Sequence, residues 1–496
     1  MLERSCAAID LGASSGRVAV VDCDGERVRV REAWRFATPE RRDRETGYQC
    51  WDLEGIEREI RAGLTAAAAM APLESAGVDG WGVDHVFLDA HHDTLGPAVS
   101  YRDDRTRGVM ELVQSRVPAK EIYRRTGIQF QPFNTLYQLA ASARRNPSWL
   151  ARARHLLMLP DYFHFRLCGA ISTEYINATT TQLYGVTSDD WDDDLLAIAG
   201  VSRDLLTTPV QPGTLLGEMP SLGAGRSLRV IAPGTHDTAS AVAAIPLASA
   251  EEAFLISGTW SLMGVESALP LCDERARQLN FSNEGGVERR YRVLQNIAGL
   301  WLTQCIAREL GKPEASLLAA AAVASPWLSS IDPDDPRFLN PPSMIAAIRD
   351  FCAETGQDEP AGDGALVRCA LESLALSYRR VKDELESLLG HSLTRIRIAG
   401  GGGRNELLNQ LAADACQVPV IVGPAESSLL GNGCVQLIAL GVFASLDEAR
   451  ALLRRSFATR EVEPRRSLPD GVRERFRAFV RRRREPDGAK REHPPA

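Results

Sequence analysis

Residues 232–242 read APGTHDTASAV, with one imidazole, His236, and one carboxylate, Asp237, side by side among very small residues. A carboxylate in that setting can accept the proton of an alcohol as its oxygen attacks a phosphoryl group. It can equally cap the alanine-rich helix that follows, because Thr-His-Asp-Thr is good N-capping chemistry. A Ser-His-Asp hydrolase is disfavoured, since a His and an Asp adjacent in sequence do not readily orient each other as a triad does. The GxSxG match at Gly12–Gly16 joins two strand-like runs, whereas a nucleophile elbow needs a strand followed by a helix.

Three further stretches have the composition of phosphate-contacting turns. Asp10-Leu-Gly-Ala-Ser-Ser-Gly-Arg17 puts an acid at a strand end before small hydroxyl residues. Such an acid can hold Mg²⁺ through water while backbone amides meet phosphate oxygens; the bland reading is a hairpin turn with an exposed Asp. Ser257-Gly-Thr-Trp-Ser261 has the same character, and Gly400–Gly403 lies between an apolar run and a helical pattern, where backbone N–H groups can approach a ligand. No GxGxxG follows the first strand and no GxxxxGK[ST] occurs, which disfavours Rossmann and P-loop readings.

The elements that must position these groups follow from periodicity. CAAID and RVAVVD read as strands around LGASSG, and the Asp-Gly of DCDGE turns the chain into a third strand, 27–36. Helical patterns at 53–71, 119–125 and 134–145 alternate with apolar runs, predicting an α/β protein with mixed sheets. AEEAFLISGTWSLMGVES repeats the opening design, which suggests two related halves with a ligand cleft between them. Apolar residues from Leu366 to Leu389 keep helical spacing up to Gly390. RRRREPDGAKREHPPA reads as a solvated tail.

The chain has 496 residues, 57 basic against 65 acidic groups and a net charge of −8, which predicts several domains and argues against nucleic acid or an anionic membrane as main partner. Its richest apolar stretches, 64–73 and 317–328, contain Pro and fall short of the roughly 20 residues of a spanning helix. The N-terminus lacks the marks of a secretory signal, so a cytoplasmic location is expected. Ten scattered cysteines without CxxC or zinc spacing read as reduced core residues, and His91-His92 reads as part of a turn.

Together, AIDLGASSGRV, WGVD, YRDDRT, GTHDTASAV, SGTWSLMG, NEGG, QNIAGLWLTQ and AGGGGRNELLNQLAADAC resemble the FGGY family of carbohydrate kinases over about residues 5–460. The resemblance implies the two-lobed α/β fold of actin and hexokinase (ribonuclease H-like), with the active site in the interlobe cleft. It implies an N-terminal lobe at 1–245, a nucleotide-binding lobe at 246–460 and a C-terminal extension with a charged tail at 461–496. The motifs look most like those of members that use ATP and Mg²⁺ to phosphorylate O1 of L-rhamnulose in L-rhamnose breakdown. By the same resemblance Asp10 would bear on Mg²⁺. Ala13, Ser14, Ser15, Gly16 and Arg17 would wrap the ATP phosphates, with Thr259, Gln304, Gly401 and Gly402 as further nucleotide contacts. Gly82, His236, Thr238 and Asn296 would meet the sugar, Asp84 and Asp103 are further sugar candidates, and Asp237 would be both base and sugar ligand. The alternatives are a kinase of L-fuculose, L-xylulose or glycerol, or a non-catalytic ATP-binding regulator on the same fold.

Overall fold

A computed structural model describes residues 4–220 and 227–484. The chain divides into two compact units: residues 1–250, 265–295 and 426–458 form the first, and residues 251–264, 296–425 and 459–496 the second.

Unit 1 is organised on a six-stranded sheet ordered Leu215–Met219, Leu228–Ile231, Ser75–Gly80, Arg4–Leu11, Ser15–Cys23, Val28–Ala37. The strands Leu228–Ile231, Ser75–Gly80 and Arg4–Leu11 are mutually parallel; the outer pairs are antiparallel. Successive side chains of a strand point to opposite faces, and here both faces are covered. Ala7, Ile9, Leu11, Val18 and Val20 pack with Ile56, Ile60 and Leu64 of the helix Leu53–Met70. Cys6, Ala8, Ala19 and Val21 pack with Leu429, Leu430 and Leu437 of the helix Ser427–Ala439. Burial on both faces is why these strands read as nearly unbroken apolar runs.

The helix Ser427–Ala439 also holds the sheet through polar groups. Gln436 donates to the Ala7 carbonyl and accepts from the Ser75 hydroxyl, and Asn432 donates to the Asp79 carboxylate at 2.8 Å. It packs tightly on the helix Asp237–Ala244: a Cβ on Gly431 would stand 1.7 Å from the Ser240 carbonyl oxygen. Only glycine permits that approach.

Unit 2 repeats the opening arrangement of unit 1. Glu252–Ser257 pairs antiparallel with Trp260–Ser267 and parallel with Arg395–Ala399, as Arg4–Leu11 does with Ser15–Cys23 and Ser75–Gly80. Val420–Val422 and Arg460–Val462 extend the sheet. The predicted long helix runs Gly362–Leu389 and closes on Gly390 at φ 76°, the left-handed C-terminal cap that favours glycine.

The expected solvated tail is in part ordered helix. Val472–Arg484 docks through Val472, Phe476 and Val480 against Leu376, while Arg483 pairs with Asp332 and Arg484 with Glu384. Those carboxylates lie far back in sequence, so local charge density alone was misleading; the remainder of the tail lies outside the described residues. The cysteines are all free thiols. No described helix is long and apolar enough to cross a membrane.

Candidate functional site

The three parallel strands of unit 1 end at Leu11, Gly80 and Ile231, and each is followed by one of the motifs singled out above. Loops at the carboxyl ends of parallel strands are where open α/β sheets bind ligands. Two of these loops are tied together: the Gly80 N–H donates to the Thr235 carbonyl at 3.0 Å, and Gly80 bridges to His236.

The helix after the third strand begins at Asp237, with His236 in extended backbone at the cap position and making no side-chain cap bond. This corrects the capping expectation: Asp237 lies inside the first turn, and one carboxylate oxygen accepts from the Thr238 N–H and, at 3.1 Å, the Thr238 hydroxyl. A carboxylate there is favoured by the helix dipole. Burial pushes the Asp237 carboxyl above the ordinary aspartate range; His236 opposes that rise, Asp10 adds to it and Thr238 opposes it. A carboxylate shifted this way is a better proton acceptor than a solvated one.

His236 Nε2 stands 3.5 Å from Asp237 Oδ1, and its Nδ1 stands 3.3 Å from Glu284 Oε2. Glu284 is in turn 2.9 Å from the guanidinium of the fully buried Arg292. Burial alone would raise the Glu284 carboxyl, but Arg292, His236 and the Ser282 hydroxyl bring it down to about 2. Glu284 is therefore a fixed anion behind the imidazole.

Gly82 is buried, and a Cβ there would lie 3.2 Å from the Thr180 hydroxyl. Next to it Val83 has φ 68°, and the Asp84 N–H closes a three-residue turn onto the Gly82 carbonyl. A β-branched residue at positive φ is strained backbone, held only because its surroundings fix it. Asp84 does much of that fixing: one oxygen accepts from Trp51 Nε1, Trp81 Nε1 and the Tyr101 N–H, the other from Gln138 Nε2 at 2.8 Å. Asp103 is likewise engaged, accepting from the N–H groups of Arg105 and Gln49. Both aspartates are thus held by protein partners.

Asp10 is buried, not the exposed acid of a bare hairpin. It accepts from the Ser428 hydroxyl at 2.6 Å and pairs with Arg17, which also pairs with Glu426. Gly12, Ala13 and Ser14 form the hairpin turn and Ser15 opens the next strand, fastened by Gly12 N–H to Ser15 C=O and by Thr38. Gly16 packs flat on Phe36, whose ring would meet a Cβ at 2.2 Å. Among the described residues no three His, Cys, Asp or Glu side chains converge to hold an ion. A Mg²⁺ that keeps most of its waters and leans on one carboxylate and the substrate phosphates fits that arrangement. So does the buried Oδ1 of Asp79, the register partner of Asp10, which has no hydrogen-bond partner.

In unit 2, Thr259 occupies the tight turn between paired strands, clasped by Leu300 N–H to Gly258 C=O and Trp301 N–H to Thr259 C=O. Gln304 is on the helix Trp301–Leu310. Asn296 is in the strand Tyr291–Ala298, and the helix Trp301–Leu310 starts five residues later. The glycine run is a short 3₁₀ turn packed on Ser257: a Cβ on Gly402 would stand 2.0 Å from the Ser257 hydroxyl oxygen, whereas one on Gly401 would meet nothing within 4 Å. The helix behind it is capped by its own Asn405, which takes the Leu408 N–H.

Residues 6–243 match the N-terminal domain, and residues 253–440 the C-terminal domain, of the FGGY family of carbohydrate kinases. The chain belongs to this family. A rhamnulokinase of Pectobacterium carotovorum subsp. carotovorum is 46% identical over 495 residues, 99% of both chains, and one of Klebsiella pneumoniae subsp. pneumoniae is 46% identical over 477 residues, 95% of this chain and 96% of the other. Among solved structures, a gluconate kinase of Lactobacillus acidophilus superposes with a TM-score of 0.77 at 17% identity, covering 97% and 98% of the two chains. A glycerol kinase of Plasmodium falciparum solved with ADP gives 0.75 at 15%, with the same coverage. These likenesses establish the two-domain mixed α/β fold of FGGY kinases.

Asp79, Glu174 and Arg292 carry no local sequence signal, because the partners that bury them are distant in sequence, and Glu284 is marked only by its place in NEGG.

Proposed function

We propose that this FGGY kinase transfers the γ-phosphoryl group of ATP to O1 of L-rhamnulose in L-rhamnose breakdown, working in the cytoplasm. What supports the substrate is near-full-length identity of 46% to rhamnulokinases. The residues that would serve are Asp10, the turn from Ala13 to Arg17, Gly82 and His236–Thr238, with Thr259, Asn296, Gln304, Gly401 and Gly402 as further nucleotide and sugar contacts.

In this reading the Asp237 carboxylate orients the attacking hydroxyl and accepts its proton, and Thr238 and His236 hold the carboxylate in place. The proton can leave late in a loose phosphoryl-transfer transition state, so the modest basicity of an aspartate suffices. Mg²⁺, leaning on Asp10, would neutralise phosphate charge when bound. Asp237→Asn is expected to lower turnover on the order of 10²- to 10⁴-fold while ATP binding is nearly unchanged. Equal loss of both would make Asp237 a structural residue. A coupled ATP assay on a sugar panel tests the substrate, and much faster turnover of L-fuculose, L-xylulose or glycerol would replace L-rhamnulose.

A further inference from the structure

Thr235 immediately precedes the His236–Asp237 pair and is fully buried. All of its polar groups are taken. Its carbonyl accepts from Gly80, while its N–H and hydroxyl both donate to one oxygen of Glu174, at 3.1 and 2.7 Å. Glu174 is also fully buried, and its carboxylate accepts two more bonds, from the N–H groups of Ile176 and Asn177 at the start of the helix Tyr175–Thr180.

That short helix touches the other sugar-side elements. The Thr179 hydroxyl accepts from the N–H of Gly285, next to Glu284, and the Thr180 hydroxyl lies beside Gly82. A single buried carboxylate therefore joins the catalytic loop to the helix against which Gly82 and the strand of Glu284 are packed.

We propose that Glu174, as its anion, is the positioning residue that sets the place of the Asp237 carboxyl through Thr235. The inference rests on Asp237 being the base. Three backbone N–H groups and the Thr235 hydroxyl donate to the Glu174 oxygens, so a proton there must displace an N–H donor or turn the Thr235 hydroxyl round, and either change loosens the loop. The titratable groups facing it are Arg292 and Asp161, which accepts the Glu174 N–H through one oxygen, has the other buried without a hydrogen-bond partner, and is itself pushed well above the ordinary aspartate range by burial and by Glu174. Burial raises the Glu174 carboxyl to about 7, while its hydrogen bonds from Ile176, Thr235 and Asn177 oppose the rise. A group raised in this way is anionic only above that value, so correct positioning is present above about pH 7 and is lost as pH falls through it.

The test is steady-state kinetics with MgATP and L-rhamnulose on Glu174→Gln, Thr235→Ala, Thr235→Ser and Asp237→Asn. Glu174→Gln and Thr235→Ala should lower kcat at least ~10-fold with KM for ATP within ~2-fold, and Thr235→Ser, which keeps the hydroxyl, should stay within ~3-fold of wild type. The acid limb of the wild-type kcat profile near neutral pH should be absent from the residual activity of Glu174→Gln. If Glu174→Gln does not fold, the Thr235 pair decides, because Thr235→Ala leaves the helix cap intact. Wild-type kcat in Thr235→Ala, equal losses in Thr235→Ala and Thr235→Ser, or a rise in KM for ATP matching the fall in kcat overturns the proposal. An Asp237→Asn enzyme with full turnover removes the base and with it the premise. An inactive Asp237→Asn beside fully active Glu174→Gln and Thr235→Ala removes the positioning role alone.

Discussion

Asp84 is the residue at which a ligand role and a scaffold role predict different numbers. Its carboxylate receives donors from Trp51, Trp81, Tyr101 and Gln138 and is almost wholly buried. In Asp84→Asn the amide oxygen can replace the oxygen that takes the two indoles and the Tyr101 N–H. The amide nitrogen then faces Gln138 Nε2, donor against donor. Gln138 cannot simply turn over, because its oxygen accepts from Arg105 and its nitrogen also donates to the Phe133 carbonyl. One buried mismatch costs about 1–3 kcal/mol. At about 2–4 °C per kcal/mol, that is a fall of roughly 2–12 °C in the unfolding midpoint of unit 1. Asp84→Ala strands all four donors, so its loss should be larger even after water enters. Loss of the Trp81 anchor should also loosen Gly82, so KM for the sugar should rise while KM for ATP holds. Differential scanning calorimetry and the coupled assay read both quantities. An Asp84→Asn protein with an unchanged midpoint and a raised sugar KM would refute the scaffold argument and return Asp84 to the sugar.

Two other perturbations separate folding from binding. Gly401→Ala has open space for its methyl group and should leave thermal stability unchanged while raising KM for ATP if the nucleotide approaches there, whereas Gly402→Ala drives a methyl into Ser257 and should destabilise unit 2. His164 accepts the Val78 N–H at 2.9 Å, and burial lowers it to about 3. The unfolded chain takes up that proton near the ordinary ~6.5, so stability is present above it and drains away as pH falls toward 3. His164→Gln, which can still accept from Val78, should make urea midpoints at pH 5 and 7.5 more alike.

The elements were legible where a pattern is local. Arg4–Leu11 and Ser15–Cys23, their counterparts around Thr259, and the helix ending at Gly390 each follow from a run, a turn and a period. The acids show where legibility stops. In sequence Asp84, Asp103 and Glu174 are equally plausible ligands or surface charges. What the structure adds is the set of donors around each: indoles and an amide for Asp84, loop N–H groups for Asp103, Thr235 for Glu174. Arg17 illustrates the distance involved, since its second counter-ion, Glu426, is 409 residues away. The C-terminal arginines read as solvated for the same reason, Asp332 and Glu384 being remote in the chain.

The costs borne near the candidate sugar side share a cause. Val83 is held at positive φ beside Gly82, Glu174 is an acid that burial drives toward its neutral form, and Asp79 is raised well above its ordinary range by burial and by Asp10. For Val83 and Asp79 the cost would be relieved by an ordinary substitution, a glycine or an asparagine, and a fold selected for stability alone would accept those changes, whereas Glu174→Gln would set an amide donor against the donors around it. Strain and buried charge kept at the ends of parallel strands make sense if the loops there must be fixed before substrate arrives, because a misplacement of about 1 Å at a reacting group can cost ~10²-fold in rate. On that argument the relieving substitutions should raise the unfolding midpoint or leave it level while lowering kcat, and the two effects should appear together in the same variants.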